Sequence, residues 1–297
     1  GEKRAILIDA YAQIYRSFYA IRGLTGPEGE PTNAIFGMAR FLLALDREWP
    51  CSHGAFVLDR GAPPERMAAL PQYKANRPPM PDDLRAQVPE IREWVESLGW
   101  AIVERDNCAA DQLIAGIVNC RWDGIFLIAS HDKDLGQLVH DPDVQMLSPS
   151  RTGGLQLVDE EAVRDRFGVP PEAVRDYLAL VGDSSDNIPG VQGVGRKTAA
   201  ALLEQFGSVA NLLDHVREVS RPVLRDKLED AKKLLHRNLK LVDLMPILPE
   251  EWEGMDGLRR RDRDWGRLDE LAGRHDLKSI RDSIRAEHGR WRSPTLF

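Results

Sequence analysis

Cysteine is scarce in this chain of 297 residues, where Cys51, Cys108 and Cys120 stand far apart. Their odd number and wide spacing exclude a disulfide framework and a CxxC zinc site, so we expect ordinary buried thiols. The sequence also has no apolar run close to the roughly 20 residues of a membrane-spanning helix, and its first residues form a strand pattern without the apolar core of a signal peptide. We therefore expect a cytoplasmic protein without a membrane partner.

An excess of positive charge is missing as well. The formal net charge is -7 at pH 7, which argues against binding nucleic acid through bulk electrostatics but allows local basic grooves beside an acidic site. The length and the hydrophobic content of 42% suffice for a full core. That core can belong to one large α/β domain or to a domain with a small satellite.

Short runs rich in Ile and Val alternate with helical patterns in the first half of the chain. This alternation predicts an α/β fold with a mostly parallel sheet flanked by helices. The predicted strands cover residues 5–9, 55–59, 101–104 and 125–129. Apolar residues at helical spacing predict one helix over 84–98, and the proline-rich stretch 63–81 indicates a surface connection over the sheet edge.

Strand signals cease after about residue 157. Helical patterns follow at residues 160–166, 171–181, 196–206 and 221–238, so the C-terminal half is predicted to be a helical subdomain. The charged run 259–263 is interpreted as the solvated start of a further helix.

Aspartates stand where predicted strands end. Asp9 and Asp59 close two strands, and Asp132 and Asp134 follow a third. The carboxyl ends of the strands form the ligand crevice of an open α/β sheet. A spacing of two residues directs Asp132 and Asp134 to the same side of an extended backbone.

Two further acids, Asp183 and Asp186, lie beside a turn in GDSSDNIPG and can converge in the same way. One aspartate at a strand end can be a plain helix cap. Several carboxylates in one cleft repel each other unless cations neutralise them, and these hard oxygen ligands suit Mg²⁺ or Mn²⁺. The set predicts a two-metal phosphodiester hydrolase.

A glycine-rich turn stands directly before the predicted helix 196–206. Gly190, Gly193 and Gly195 let the backbone approach a ligand closely, and amides at the helix N-terminus can hold a phosphate. Arg196 and Lys197 add positive charge without reading sequence. The alternative is a plain helix connection, but the basic pair and the preceding GDSSDNIPG favour a grip on a nucleic-acid backbone.

At this point the residues resemble a known family, the 5′-nucleases, which include flap endonucleases and the 5′ to 3′ exonuclease domain of bacterial DNA polymerase I. The resemblance covers about residues 4–280 and is carried by LIDAYAQIYRSFYA, TNAIFGMARFL, LDRGAPPERMAALPQYKANRPPMPDDLR, SHDKDLGQLV and GDSSDNIPGVQGVGRKTAAALL. No polymerase module follows, so we expect a free-standing, monomeric member that acts on DNA with 5′ flaps, junctions or 5′ ends, near the nucleoid.

The resemblance implies a PIN-like nuclease core over residues 1–157, with an arch over the active site at about 60–82. It further implies a helical DNA-binding subdomain over 158–288, with a helix-three-turn-helix at about 181–206, and a flexible tail over 289–297. The implied ligands of two or more Mg²⁺ or Mn²⁺ ions are Asp9, Asp59, Asp111, Asp132, Asp134, Asp183 and Asp186.

Other roles also come from the resemblance. Lys74 and Arg77 would steady the scissile phosphate, with Arg66 as a further candidate, unless these are only exposed arch charges. Tyr15 would stack on a terminal base, or else serve as a core aromatic. A K⁺ ion would bind hairpin carbonyls from Val191 to Val194.

The chain departs from the family at one cluster. The family carries Glu-Ala-Asp-Asp where this sequence reads Ala109, Ala110, Asp111 and Gln112, so two of its metal-site acids are missing. We expect a weakened first metal site beside an intact second one. The alternative is an inactive or very slow protein that binds branched DNA. His131 replaces a common glycine and is interpreted as a loop residue, with a ligand role as the alternative.

The C-terminal residues offer one more signal. Residues 292–297, ending in Leu296 and Phe297, resemble the bacterial peptide that binds the sliding clamp, although its leading glutamine is missing. The simpler interpretation is a disordered apolar terminus.

Overall fold

One six-stranded sheet forms the centre of the computed structural model, which describes residues 3–292. The strands are β1 (Arg4–Asp9), β2 (His53–Val57), β3 (Ala101–Val103), β4 (Ile125–Ala129), β5 (Val144–Pro149) and β6 (Leu155–Val158). Their order is β3-β2-β1-β4-β5-β6, and all neighbours are parallel except β5 and β6. The mostly parallel sheet is confirmed, whereas β5 and β6 were not predicted.

Helices cover both faces of this sheet. They are α1 (Ala10–Ala20), α2 (Asn33–Glu48), α3 (Pro64–Ala69), α4 (Asp82–Arg85), α5 (Val88–Ser97), α6 (Ala110–Val118), α7 (Glu160–Phe167), α8 (Pro171–Val181), α9 (Arg196–Phe206), α10 (Val209–Asp214), α11 (Pro222–Asp230), α12 (Lys232–Val242), α13 (Trp265–Arg274) and α14 (Lys278–Arg292). Because both faces are covered, β1 is apolar on both sides, and Ala5 to Ile8 are fully buried. Within residues 3–292, no helix has the length and apolarity needed to cross a membrane.

Two apolar cores lie on opposite faces of the sheet. One joins α6 to the helical C-terminal half, through residues such as Leu113, Leu178 and Leu203. The other joins α1, α2 and α5 to the last two helices, α13 and α14. Leu268 and Ile280 of these last helices share their core with Trp94 of α5. The predicted helical subdomain 158–288 therefore needs correction, because its last two helices pack on the nuclease core.

Four local predictions are also corrected. The helix predicted over 84–98 is two helices, α4 and α5, and the one predicted over 221–238 is likewise divided into α11 and α12. The run 259–263 starts no helix, because Arg260 and Arg261 donate backbone N–H bonds to Ser52 and Gly99. The tail predicted from residue 289 begins as helix, since α14 continues to Arg292.

A short hairpin connects α8 to α9. Its strands are β7 (Gly182–Asp183) and β8 (Ile188–Pro189), which pair antiparallel. Asn238 of α12 is fully buried and donates to the carbonyls of Ala179 and Pro189, which fixes the base of the hairpin. Gly190 is required there, because a Cβ would lie 2.3 Å from the carbonyl carbon of Val181.

Candidate active site

Four carboxylates meet at the carboxyl edge of the central strands. Asp9 ends β1, Asp59 and Asp132 follow β2 and β4, and Asp111 lies in the first turn of α6. Burial, followed by the charges of Asp59 and Asp132, raises the pKa of Asp9 to about 8. Burial also raises the pKa values of Asp59 and Asp132, and the charge of Asp111 adds to both. The positions of Asp9, Asp59 and Asp132 agree with the expectation from the strand ends, whereas Asp111 was expected from the resemblance alone.

Backbone and hydroxyl groups hold these acids in place. Ser130 Oγ donates to Asp9 Oδ2 at 2.7 Å, and the N–H of Ala110 donates to Asp59 Oδ1 at 2.9 Å. The N–H of Asp134 donates to Asp132 Oδ1 at 3.0 Å. The carboxylates are therefore oriented before any ligand arrives, although their mutual repulsion is not relieved.

A second group consists of Asp134, Asp183 and Asp186. Each offers one carboxylate oxygen, and these oxygens lie within 4.8 Å of one another. Asp134 Oδ1 is buried and has no hydrogen-bond partner within residues 3–292. Burial, and next the charge of Asp132, raises the pKa of Asp134 to about 8. Lys133 Nζ lies 3.4 Å from this oxygen but forms no hydrogen bond with it. A buried oxygen without a hydrogen-bond partner, in an all-oxygen group, fits a hard divalent cation.

Two basic side chains neutralise the rest of this second group. Lys133 Nζ lies 2.5 Å from Asp183 Oδ2, and Arg77 Nη2 lies 2.5 Å from Asp186 Oδ1. Burial alone would raise the pKa of Asp183, but the hydrogen bonds from Lys133 and Ser185 outweigh it and lower that pKa. Sequence reasoning missed Lys133, although its place between two predicted ligands was a signal.

Arg66 occupies a different place from the other arch cations. It is only 1% exposed, and it pairs with both carboxylate oxygens of Asp111 at 3.0 and 3.2 Å. It also donates to the carbonyl of Asp243 at 3.1 Å. Because a guanidinium enclosed in this way has no free surface for a phosphate, the structure places Arg66 as a support of Asp111.

The arch segment is bound over the second acidic group. The N–H of Lys74 donates to the carbonyl of Asp186 at 3.0 Å, and Asn187 donates to the carbonyl of Gln72. Burial alone would lower the pKa of Lys74, but the neighbouring Tyr73 and Asp186 outweigh it and raise that pKa. Lys74 and Arg77 thus stay positively charged beside the acids, as expected for phosphate contacts.

The first turn of α6 explains what Gln112 does. Gln112 is 5% exposed, and its Oε1 accepts the N–H of Ala109 at 3.0 Å. This bond is half of a capping box, in which the third helical residue reaches back to the cap. Ala109 is buried and offers no ligand atom. Asp111 is therefore the one acid that this turn supplies.

The glycine turn places a lysine that sequence reasoning missed. Gly193 has a φ of +81°, and a Cβ there would lie 2.7 Å from Lys227 Nζ of α11. Arg196 donates to the carbonyl of Arg166 at 2.5 Å, while Lys197 is exposed. Lys227 therefore adds a second lysine near the turn, after Lys197 in the first turn of α9. Each belongs to a helix, so the spacing along the chain gave no sign of the pairing.

Backbone hydrogen bonds hold the segment from Val191 to Val194, where a K⁺ ion is predicted. Val191 and Val194 are buried, and Val191 donates its N–H to Leu180 and accepts the N–H of Val194. No cation is needed to close these bonds, so a K⁺ ion at the hairpin stays a prediction.

Tyr15 and His131 lie at the margins of the cleft. Tyr15 is partly exposed on α1 and packs against the core. His131 is exposed, in agreement with a loop residue, and its pKa is lowered by the desolvation of its ring and by Arg16 and Arg166, against the charge of Asp132. It is not part of the oxygen group formed by Asp134, Asp183 and Asp186.

Carboxylates at the strand ends of this PIN-like α/β sheet stand beside the buried group of Asp134, Asp183 and Asp186, and a helical unit with a glycine hairpin follows. These features define the class of metal-dependent nucleases. Residues 4–168 match the 5′-3′ exonuclease N-terminal resolvase-like domain, and residues 169–264 match the 5′-3′ exonuclease C-terminal SAM fold. The chain belongs to the 5′-3′ exonuclease family.

Two relatives illustrate this membership. The chain is 35% identical over 280 residues to the 5′-3′ exonuclease of Aquifex aeolicus, a match that covers 94% of each protein. It is 37% identical over 263 residues to the thermostable DNA polymerase I of Thermus caldophilus, which covers 88% of this chain but 31% of the polymerase. The chain therefore spans about a third of the length of that polymerase.

Solved structures share the fold. A bacteriophage T5 flap endonuclease in complex with DNA and metal ions aligns with a TM-score of 0.66 and 19% identity, over 96% of this chain and 98% of that one. The catalytic core of Rad2 in complex with a DNA substrate aligns with a TM-score of 0.64 and 17% identity, over 95% and 91%. The predicted PIN-like core with a C-terminal helical unit is thus confirmed.

Proposed function

We propose that this protein is a structure-specific 5′-nuclease that hydrolyses DNA at 5′ flaps, junctions or 5′ ends with two Mg²⁺ or Mn²⁺ ions. The observation that carries this proposal is the convergence of Asp134, Asp183 and Asp186 beneath the cations of the arch. Crowded oxygen ligands and nearby phosphate-binding cations are the two components of metal-assisted phosphodiester hydrolysis.

The carboxylates divide between two ions in this proposal. Asp132, Asp134, Asp183 and Asp186 hold the second ion, and Asp9, Asp59 and Asp111 hold the first. Bound divalent ions lower the pKa of a coordinated water and neutralise the charge on the phosphate. Lys74 and Arg77 bind the phosphate oxygens, while Ser130 keeps the carboxylate of Asp9 turned into the cleft.

The first ion is bound weakly in this proposal. Ala109 and Gln112 contribute no charge, and Asp111 already shares its two oxygens with Arg66. A cation that binds Asp111 must compete with a buried guanidinium, which adds to the loss of two acids relative to the family. This arrangement also supports a second candidate, a very slow protein whose main activity is to bind branched DNA.

The hairpin is proposed to grip the sugar-phosphate backbone. The N-terminus of α9 has no side-chain cap, Lys197 lies in its first turn, and Lys227 approaches Gly193. A K⁺ ion held by carbonyls between Val191 and Val194 would add a further positive charge. These contacts read no bases, so the structure of the DNA would set the specificity.

We propose a monomer in the cytoplasm, close to the nucleoid where its substrate lies. Binding to a sliding clamp would use Leu296 and Phe297, which lie outside the described residues.

Removal of divalent ions tests the proposed reaction. We expect the purified protein to release a labelled strand from a 5′-flap duplex when Mn²⁺ or Mg²⁺ is added, and to release none in EDTA. The matched control is a fully paired duplex of the same sequence without a 5′ end near the label. The protein could instead bind the flap duplex in EDTA and release no product at any concentration of Mn²⁺ or Mg²⁺. That result would support the second candidate, a very slow protein that binds branched DNA.

The two lysines at the hairpin give a second prediction. Lys197→Ala and Lys227→Ala should each weaken binding to every duplex tested and reduce the salt dependence of the affinity by about one counterion. Arg196→Ala should have a smaller effect, because its guanidinium already bonds to Arg166. Fluorescence anisotropy in EDTA at several KCl concentrations measures both quantities.

Lys278→Ala is the matched control for this prediction. Lys278 begins α14, which packs on the face of the sheet opposite the hairpin, and its side chain is 82% exposed. Its Nζ lies 3.8 Å from Asp276 Oδ2. Its loss removes the same charge without touching the hairpin. Equal salt slopes for Lys227→Ala and for the unchanged protein would contradict a phosphate contact at Lys227.

A further inference from the structure

Tyrosines form a ladder along α1, which begins directly after Asp9. Tyr11, Tyr15 and Tyr19 are spaced by four residues, so they share one face of the helix. The ring centroids of Tyr11 and Tyr15 are 6.5 Å apart, and those of Tyr15 and Tyr19 are 6.3 Å apart with an interplanar angle of 17°. The second pair is therefore close to parallel.

The ladder starts in the cleft and ends in solvent. Asp59 is among the charges that act on Tyr11, and Arg77 and Arg85 act on Tyr15. Tyr19 is 53% exposed, which makes it one of the few large apolar side chains on the described surface. At 1.5 Å per residue, Tyr19 lies about 15 Å along the helix from Asp9.

The outer end of the ladder is rigid. Phe18 packs edge-on against Tyr19 with a centroid distance of 5.1 Å. Asn33 donates to the carbonyls of Phe18 and Ile21 and thereby ties the end of α1 to α2. Asn33 is itself buried and accepts from Gln87. A fixed aromatic face loses little entropy when a ligand stacks on it.

Positive charge accompanies this exposed ring. Arg16 and Arg22 are exposed, and within residues 3–292 neither forms an ion pair, in contrast to the arginines of the arch. Exposed aromatics interleaved with free cations are typical of surfaces that hold single-stranded nucleic acid, where bases stack on rings and phosphates contact the cations.

We infer that Tyr19 is a stacking platform for one unpaired base of the 5′ single strand, and that it extends the contact expected at Tyr15 by one step away from the carboxylates. This inference rests on the proposed function, since it names how that site would hold its flap. Arg16 and Arg22 contact the phosphates on either side of the stacked base. Tyr19 acts in binding and has no part in the hydrolytic step.

The test uses binding in EDTA, where no strand is cut. A 5′-flap duplex is prepared intact and with one abasic nucleotide at each flap position in turn. For the unchanged protein, we expect one abasic position to weaken binding by roughly 5- to 150-fold, the size of one base–aromatic stack. Tyr19→Ala should weaken binding to the intact flap by the same factor. The variant should then bind the flap that is abasic at the sensitive position as well as it binds the intact flap.

Two further variants keep the test specific. Tyr19→Phe preserves the ring and should bind the intact flap like the unchanged protein. Leu157→Ala removes another exposed apolar side chain, 42% exposed on the edge strand β6, and should also bind normally. Equal melting temperatures for all variants show that Tyr19→Ala is folded, as expected for a change at an exposed position.

The outcomes separate the two levels of the proposal. If the unchanged protein fails to bind flap DNA, the proposed function itself is lost. If it binds, but Tyr19→Ala binds the intact flap equally well, only the inference on Tyr19 is overturned. Stacking of one flap base would likewise be rejected if every abasic position weakened binding equally. It would also be rejected if Tyr19→Ala weakened binding to a duplex without a flap by the same factor.

Discussion

Asp134→Asn is expected to lower flap cleavage by at least about 100-fold and, in the same protein, to raise the melting temperature of the metal-free form at pH 8. Asp134 has a buried oxygen without a hydrogen-bond partner in the described part of the chain and lies among three other acids. A ligand lost from a two-metal site removes much of the stabilisation of the transition state. The same change removes a buried negative charge that is poorly balanced when no metal is present.

The sign of the stability effect follows from the pKa. Burial raises the pKa of Asp134 to about 8 in the folded protein, well above its value in an unfolded chain. Between these two values the folded state binds the extra proton, so stability falls as pH rises from about 4 to about 8. Asparagine has no such proton. The advantage of the variant should therefore be absent near pH 4 and largest at pH 8 and above.

Thermal unfolding in EDTA at pH 5, 6.5 and 8 measures this effect, and for a chain of this size about 1 kcal/mol corresponds to roughly 2 to 4 °C. Asp141→Asn is a matched control, because Asp141 lies on the surface away from the cleft and accepts bonds from Gln145 and Glu160. A variant at Asp134 that is less stable than the unchanged protein at every pH would indicate a structural role. Cleavage that survives the change would reject Asp134 as a ligand.

The convergence of the acids could be predicted because strand ends are a property of the sequence. β4 has its predicted bounds, and β1 and β2 lie close to theirs, so Asp9, Asp59 and Asp132 had to reach one edge of a parallel sheet. Asp183 and Asp186 come after α8, and the sequence placed them only beside a turn from which they can converge; the resemblance added their role as metal ligands. The structure then supplied the register that brings them to Asp134.

The cations of the site were harder to assign. Arg66 contacts Asp111 and Lys133 contacts Asp183, pairs that are separated by 45 and 50 residues along the chain. No local pattern determines which acid a basic side chain will meet, so the sequence offers Arg66 only as a further phosphate candidate or as an exposed arch charge. Burial decides its role, since a side chain at 1% exposure cannot reach a ligand in the cleft.

The packing of the last helices shows the same limit. A helical period predicts that α13 and α14 each have an apolar face, but not which surface covers that face. The face carrying Leu268, Leu271 and Ile280 packs on α5 and α2, on the side of the sheet away from α6. These two helices thus stabilise the nuclease core, and the hairpin helices stand on the other side.

Restoring the two missing acids is the second large expected effect. The double variant Ala109→Glu, Gln112→Asp should increase flap cleavage at low Mn²⁺ by more than about tenfold, because two added carboxylates raise the affinity of the first site for divalent ions. The increase should be largest at metal concentrations that leave the unchanged protein mostly unloaded. Titration of Mn²⁺ and of Mg²⁺ against the cleavage rate measures it.

The structure makes this double variant demanding, because both positions are buried and Gln112 caps α6. Aspartate is one methylene shorter than glutamine, so the cap bond to the N–H of Ala109 should weaken. Gln112→Glu is the informative comparison, since it keeps the length that the capping box requires and adds one charge. We expect Gln112→Glu to have the same melting temperature as the unchanged protein when metal is bound. Its gain in cleavage rate should be smaller than that of the double variant.

Arg66 provides the last control on this mechanism. The guanidinium of Arg66 neutralises Asp111 in the absence of metal, so it should also limit the gain from the added acids. In the chain that keeps Ala109 and Gln112, Arg66→Gln should leave the half-buried Asp111 without its partner and lower the melting temperature of the metal-free protein by several degrees. When Arg66→Gln is combined with Ala109→Glu and Gln112→Asp, added Mn²⁺ should restore the melting temperature. The ion then takes the place of the guanidinium beside Asp111. If added acids and added metal change neither rate nor melting temperature, the weak first site is not the reason for slow cleavage, and the arch becomes the next region to test.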